Sequence, residues 1–237
     1  RRVLFRSVMD GLDALVLLVA GGATLWLMYY VRFLLPAQLD ERFRQSLTAF
    51  STAIELRFPT HSGLSKRVVA LSIAAGEHLG FRPGQLRNLE MAATLRDIGL
   101  CSIPYNLVNG RDEENWSAAE RMTYDRHPEV SGAMLEMVPS LTHLSNIVRW
   151  HHAGFNEGST LDPTIPSGED IPMESRLIKV VSEYVWQERL QGDLLARETI
   201  RAGAGTIYCP VAAGALLAVL TSARVGQTEP GVKVARP

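Results

Sequence analysis

The chain has 237 residues, 46% of them hydrophobic, with 24 Lys and Arg against 25 Asp and Glu and a formal net charge of −1. This length allows one domain, or one domain with an appendage, and the apolar fraction excludes a globally disordered chain. Without a basic excess, a nucleic acid polymer is not expected as a partner, because its phosphates must be neutralised. The two isolated cysteines, Cys101 and Cys209, exclude a disulfide scaffold and a CxxC zinc site.

The N-terminal part of the chain predicts a membrane segment. Residues 1–7 (RRVLFRS) read as a translated sequencing adapter, so we expect them not to be native. Residues 14–31 contain no charged side chain and span roughly 27 Å as a helix, close to the ~30 Å of a hydrocarbon core. A buried core helix and a cleaved signal peptide are the alternatives. We predict a transmembrane helix over residues 8–36.

The flanks of this segment predict its orientation and its continuation. More arginines follow it than precede it, which places the C-terminal side in the cytoplasm and the chain in the inner (cytoplasmic) membrane. Residues 37–57 predict a juxtamembrane helix, because apolar residues recur there in steps of three and four: Leu39, Phe43, Leu47, Phe50 and Ile54. This stripe can pack on a second copy, giving a homodimer, or on the domain that follows.

Residues 58–223 predict a helical domain, so the fold class is all-α. Helix starts are predicted at five prolines, Pro83, Pro128, Pro139, Pro172 and Pro210. Ser117 and Glu120 have the spacing of a capping box, and Gly80 predicts a helix end. Residues 153–171 predict a long loop of the kind that covers a site, and residues 224–237 predict a disordered tail.

Three histidines and one aspartate within an apolar run are the candidate site residues. His127 stands at a predicted helix start, and His151 and His152 form a pair after an apolar helix. Asp97 lies in an apolar run, where a carboxylate needs a cation or a hydrogen-bond donor. Imidazole and carboxylate together are ligands for zinc, iron or manganese. From spacing alone, an isolated pair of histidines is more often a surface or capping feature than a pair of metal ligands.

Six motifs occur in a fixed order, and together they resemble those of the HD-GYP family. They are GLSKRV (63–68), LRDIGLCSIPYNLV (95–108), RHPEVSG (126–132), HHAGF (151–155), GEDIP (168–172) and GTIYCP (205–210). Members are helical HD-superfamily phosphohydrolases, mostly cyclic di-GMP phosphodiesterases. The resemblance implies an HD-type helical bundle, cyclic di-GMP as ligand, and a metal site that keeps Asp97, His127, His151 and His152.

The chain also departs from the family pattern at several site positions. Leu64 replaces the first metal-binding His, Arg96 replaces the His of the HD pair, and Ser182 replaces the last metal-binding Asp. Leu100 and Ala153 replace a Lys and a Glu, and the GYP triplet is missing. His61 lies three residues before Leu64, but Pro59 disfavours it as a substitute ligand.

These departures favour a signalling domain that does not hydrolyse, and that either binds a nucleotide or interacts with a protein partner through the helix at residues 39–57. The remaining ligands suit one divalent metal (Fe, Mn or Zn) or none, because a guanidinium about 4 Å from the ion costs ~8 kcal/mol against the ~10–16 kcal/mol of a good zinc site. Arg96 would then neutralise Asp97. Arg96 and Arg126 are candidate phosphate contacts, and Lys66 and Arg67 are expected on the surface. The alternatives are an active one-metal phosphodiesterase with Asp97 as its catalytic residue, and a membrane protein whose helices only pack.

Overall fold

A computed structural model describes residues 2–58, 63–110, 115–156 and 165–227. These ranges are helical, apart from turns and an isolated bridge between Ala204 and Tyr208, so the all-α prediction is confirmed. The chain divides into two compact units, Arg1–Ser46 and Leu47–Pro237. His61, the middle of the predicted loop (157–164) and the predicted tail beyond residue 227 lie outside the described residues.

The chain begins with a long helical run made of three segments. They are α1 (Arg2–Tyr29), a π-helix (Tyr30–Leu34) and α2 (Leu35–Glu55). Pro36 does not end the run, because the preceding π-turn, in which the Leu35 N–H donates to the Tyr30 carbonyl oxygen, absorbs the change in hydrogen bonding. Among the described residues, Asp13–Glu55 is the helix long and apolar enough to cross a membrane, with a mean hydropathy of 1.9 in its most apolar window.

The second unit is a bundle whose helices follow in short steps. They are α3 (Leu64–His78), α4 (Pro83–Leu95), α5 (Tyr105–Gly110), α6 (Ala118–Asp125), α7 (His127–Glu136), α8 (Ser145–Arg149), α9 (Met173–Gln191), α10 (Asp193–Gly203) and α11 (Pro210–Gln227). Short 3-10 helices cover Ile98–Ser102, Thr142–Leu144 and Gly168–Asp170. The core is formed mainly by the apolar faces of α3, α4, α9 and α11.

Most of the predicted helix signals are confirmed. Pro83 and Pro210 begin α4 and α11, Gly80 follows α3 with a φ of 74°, and Ser117 and Glu120 form the capping box of α6. The prediction at Pro139 is wrong. The chain turns there before the next helical segments begin at Thr142 and Ser145, because Leu141 and Leu144 enter the core.

The predicted stripe on α2 has two kinds of environment. Leu47 is buried in the main core, and Ile54 packs on a second cluster formed by Phe58, Leu100, Ile103, Leu107 and Trp116. Leu39, Phe43 and Phe50 are exposed. The C-terminal part of the stripe therefore packs on its own domain.

A polar network centred on Tyr184 joins α3, α9, α10 and α11. The side chain of Tyr184 is 1% exposed. Its hydroxyl lies 2.9 Å from the Glu188 carboxylate and 2.8 Å from that of Asp193. Arg67 donates twice to Glu188, and Arg197 donates to Asp193 and to the carbonyl oxygen of Leu220. One phenolic proton is thus shared by two ion-paired carboxylates.

We expect Tyr184→Phe to lower the free energy of unfolding by about 1–2 kcal/mol, because the two carboxylates lose a donor. Burial and the two carboxylates raise the pKa of Tyr184. Its contribution is therefore complete below the ordinary tyrosine pKa of ~10 and is lost as the pH rises through the raised value. Denaturant unfolding at pH 8 and at higher pH measures both effects. The exposed-site variant Tyr105→Phe is the control, and an equal loss there would contradict the prediction.

Candidate metal centre

Asp97 is placed by the end of α4 and by a close approach to α7. Arg96 and Asp97 follow α4 directly and precede the 3-10 helix Ile98–Ser102. Inside that 3-10 helix, the N–H of Gly99 donates to the Ser131 hydroxyl at 2.8 Å. A Cβ at Gly99 would lie 2.2 Å from the carbonyl oxygen of His127. Only glycine therefore lets the Asp97 segment lie against the first turn of α7.

Two buried histidines face this segment with defined ring orientations. His127 begins α7 and its Nδ1 lies 2.8 Å from the carbonyl oxygen of Tyr124. His151 follows α8 and its Nδ1 lies 2.6 Å from the carbonyl oxygen of Val148. Because a carbonyl oxygen only accepts, each Nδ1 carries a proton, and in the neutral ring each Nε2 presents a lone pair. Metal-binding histidines are commonly oriented in this way by a backbone carbonyl.

The four predicted ligands lie together. The Asp97 Oδ1 atom is 3.6 Å from His127 Nε2 and 3.7 Å from His151 Nε2. His152 is more exposed, and its ring centroid lies 4.2 Å from that of His151 and 5.1 Å from that of His127. The three histidines offer nitrogen atoms within 4.8 Å of one another.

The arrangement fits one metal ion. The Nε2 atoms of His127 and His151 are buried and have no hydrogen-bond partner among the described residues. Their distances to Asp97 exceed those of a hydrogen bond, and lone pairs face lone pairs across the gap. Buried polar nitrogens without a partner are rare in proteins. A divalent ion that bonds to nitrogen and oxygen at about 2.0–2.2 Å would satisfy His127 Nε2, His151 Nε2 and Asp97 Oδ1.

Arg96 occupies the other side of the same carboxylate. Its side chain is buried, and its terminal nitrogen lies 2.8 Å from Asp97 Oδ2. The guanidinium also donates to the carbonyl oxygen of Ala93 at 2.7 Å and to the Ser65 hydroxyl at 3.4 Å. Asp97 therefore divides its oxygens, with Oδ2 on the arginine and Oδ1 on the histidines. The ion pair predicted for Arg96 and Asp97 is present, and it leaves the histidine side of the carboxylate open.

The protonation states of Asp97 and His151 match those of metal ligands. Burial alone would raise the pKa of Asp97, but the Arg96 guanidinium counteracts it, and that pKa lies well below its usual range. Burial is the main cause that lowers the pKa of His151, so this ring is neutral. An ionised carboxylate and a neutral imidazole are the forms that bind a metal ion.

A cavity of about 210 Å³ is lined both by positions where the chain departs from the family pattern and by positions where it keeps the expected ligands. Leu64, Arg96 and Ser182 line it beside Asp97, His151 and His152. Leu64 has no ligand atom. The Ser182 hydroxyl is buried with no partner among the described residues. The side of the cavity formed by α3 and α9 thus offers neither an imidazole nor a carboxylate at these two positions.

A second cavity of about 580 Å³ is lined in part by His127 and His152. Arg126, Arg149 and Ala153 line it. Arg126 thus lines the larger cavity, whereas Arg96 lines the smaller one. Leu100 is not part of either lining, since its side chain is buried in the second apolar cluster. Lys66 and Arg67 are exposed as predicted, and Arg67 is paired with Glu188.

The structure adds Lys179 to the residues of the smaller cavity. Its ammonium donates to the carbonyl oxygen of His152 at 2.8 Å. Lys179 precedes Ser182 by three residues, so the helical period places both side chains on one face of α9. That spacing was the available sequence signal, and it was missed because Lys179 lies outside the recognised motifs.

Comparison with known proteins agrees with the motifs. The family described as the HD domain matches residues 48–202. A cyclic di-GMP phosphodiesterase response regulator, RpfG of Xanthomonas campestris pv. campestris (strain 8004), is 28% identical over 156 residues. This alignment covers 62% of the chain and 38% of that relative, so the chain spans well under half the length of RpfG. The family prediction made from the motifs is confirmed.

Proposed function

Because this chain belongs to the HD-domain family, we propose that it is a membrane-anchored HD-GYP-like signalling domain that binds cyclic di-GMP without hydrolysing it. One observation carries the proposal. The buried guanidinium of Arg96 is paired with Asp97 at 2.8 Å, at the position where the family has the histidine of its HD pair. The cavity beside this pair has Leu64 and Ser182 at two further ligand positions.

The absence of metal ligands at these three positions accounts for the loss of hydrolysis. Hydrolysis by adjacent metals needs one ion to hold the attacking hydroxide and another to neutralise the charge that develops on phosphorus. Asp97, His127, His151 and His152 would hold one ion, which would supply Lewis-acid polarisation of a bound phosphate oxygen. Arg96 and Lys179 line the same cavity and would bind phosphate oxygens as charged donors.

Membrane anchoring rests on the long helix Asp13–Glu55 and on the arginines that follow its apolar part. In this arrangement the HD domain faces the cytoplasm, where cyclic di-GMP is available. The exposed apolar residues Leu39, Phe43 and Phe50 of α2 would pair with those of a second copy. The residue boundaries of this organisation are those predicted above, namely 8–36, 37–57 and 58–223.

The test is to restore the lost ligands. We expect the full-length chain, purified in detergent, to retain cyclic di-GMP in equilibrium dialysis with Mn²⁺ and to release no linear dinucleotide. The variant with Leu64→His, Arg96→His and Ser182→Asp is expected to release linear dinucleotide at least ~100-fold faster than the protein-free background, because a second metal supplies several kcal/mol of charge stabilisation. Adding His127→Ala to this variant is the control and should abolish turnover. Hydrolysis by the unmodified chain would contradict the proposal.

A one-metal phosphodiesterase is the second candidate, and the converging lone pairs of His127 and His151 favour it. In that case Asp97, His127, His151 and His152 hold the catalytic ion. Measurable hydrolysis by the unmodified chain that is lost in His127→Ala would establish this candidate in place of the first.

A further inference from the structure

The end of α2 caps the helix that carries Leu64. α3 begins after Gly63, which has a φ of 81° and offers no side-chain cap among the described residues. The carboxylate of Glu55, the last residue of α2, takes this role instead. It accepts hydrogen bonds from the N–H of Ser65 at 2.7 Å and from the N–H of Gly63 at 3.3 Å. A carboxylate at this end of a helix is also favoured by the helix dipole.

The residues that follow Glu55 contact the segment that follows Asp97. The guanidinium of Arg57 donates to the carbonyl oxygens of Cys101 and Ile103 at 2.8 Å and 3.2 Å. Phe58 is 1% exposed and packs in the cluster that contains Leu100 and Ile103. Residues 55–58, which we name the α2 turn, therefore contact the start of α3 and the segment that directly follows Asp97.

A continuous series of contacts joins Glu55 to the candidate metal centre. Glu55 fixes the backbone of Ser65, and the Ser65 hydroxyl accepts from Arg96 at 3.4 Å. Arg96 in turn pairs with Asp97 at 2.8 Å, and Asp97 faces the two buried histidines. All these residues lie in the unit Leu47–Pro237.

We infer that Glu55 is a positioning residue that keeps the Arg96 guanidinium on Asp97 and thereby weakens metal binding. Two arrangements follow. With the α2 turn docked, Ser65 helps to hold the arginine against the carboxylate. With the α2 turn released, the first turn of α3 loses its cap, Arg96 leaves more easily, and the ion gains the whole carboxylate. This inference rests on the one-metal site proposed above.

Thermodynamic linkage requires that metal binding and release of the α2 turn affect each other equally. If release of the α2 turn strengthens metal binding, then metal binding must release the α2 turn by the same factor. The amide of Ser65, protected by Glu55, should therefore exchange hydrogen faster when the metal is bound. A purely structural role for Glu55 predicts the opposite, since a ligand of the folded state slows exchange.

The experiment measures the Co²⁺ affinity of the full-length chain in detergent by visible absorption, and amide exchange at residues 63–66 by mass spectrometry. Glu55→Gln is expected to tighten Co²⁺ binding about tenfold. Ser65→Ala, which keeps the capped N–H and removes the hydroxyl contact, should tighten it in the same direction. Glu41→Gln is the matched control, because the contacts of Glu41 are with Arg44 and Gln45 on the same helix.

The same measurements in a variant that lacks the Arg96 guanidinium distinguish a failure of the inference from a failure of the metal site. In Arg96→Met, Glu55→Gln should leave the Co²⁺ affinity unchanged, because no arginine remains to be positioned. Unchanged or weaker binding by both Glu55→Gln and Ser65→Ala, or slower exchange at Ser65 with Co²⁺, would overturn the inference and leave the metal site standing. No Co²⁺ binding even by Arg96→Met would overturn the metal site and the inference together.

Discussion

Replacing Arg96 with histidine is expected to tighten Co²⁺ binding by about a hundredfold or more, which corresponds to ~2.7 kcal/mol. The unit-charge repulsion at 4 Å is ~4 kcal/mol at an effective dielectric of 20, and a divalent ion doubles it. Part of this repulsion is already avoided, since Arg96 binds Asp97 Oδ2 and the histidines face Oδ1. Removal of the charge should recover the rest, and the imidazole adds a ligand atom.

Arg96→Met separates these two contributions, because it removes the charge and adds no ligand. We expect it to tighten binding less than Arg96→His and to lower the melting temperature of the metal-free chain, since Asp97 loses its buried counter-ion. Co²⁺ should restore that stability. Arg87→Met, at an exposed arginine of α4, is the control. Equal Co²⁺ affinities in Arg96→His, Arg96→Met and the unmodified chain would show that Arg96 does not oppose the ion.

Gly99→Ala is expected to lower the free energy of unfolding by at least ~3 kcal/mol, at or beyond the upper end of ordinary overpacking. The added Cβ would meet two backbone atoms, the His127 carbonyl oxygen at 2.2 Å and the Ser131 nitrogen at 2.7 Å. Neither can rotate away as a side-chain end can. The 3-10 helix and α7 must separate, so Asp97 should move away from His127 and Co²⁺ binding should weaken.

Gly84→Ala is the matched control for this substitution. Gly84 lies in the first turn of α4 and an added Cβ meets nothing within 4 Å, so alanine there should stabilise the chain by about 0.5–1 kcal/mol. Urea unfolding and Co²⁺ titration of both variants measure the two effects. A Gly99→Ala chain with unchanged stability would contradict the close approach of the two segments.

Local signals predicted much of the helical framework. Proline and glycine act on the backbone of their own neighbours, so Pro83, Pro210 and Gly80 marked helix ends correctly. Pro139 failed because burial of Leu141 and Leu144 decided the path of the chain, and burial depends on the whole bundle. Pro36 lies within a helical run, because the preceding π-turn absorbs its missing donor.

The sequence predicted which residues belong to the candidate site, but it did not predict the contacts among them. Motif order predicted Asp97, His127, His151 and His152 as metal ligands, and their side chains lie close together in the structure. That Asp97 divides its oxygens between Arg96 and the histidines depends on atomic positions set by three separate segments. The cap from Glu55 to Ser65 joins residues of different helices, and no spacing along the chain encodes it.

The unpaired nitrogens of His127 and His151 also have a consequence for how long the protein survives in a cell. A metal-free chain carries the desolvation penalty of both buried atoms, and a chain that binds the ion is stabilised by mass action. Cellular proteases degrade a chain in proportion to the time it spends open. An ion bound at the proposed site would therefore lower the fraction of open chain and, with it, the rate of proteolysis.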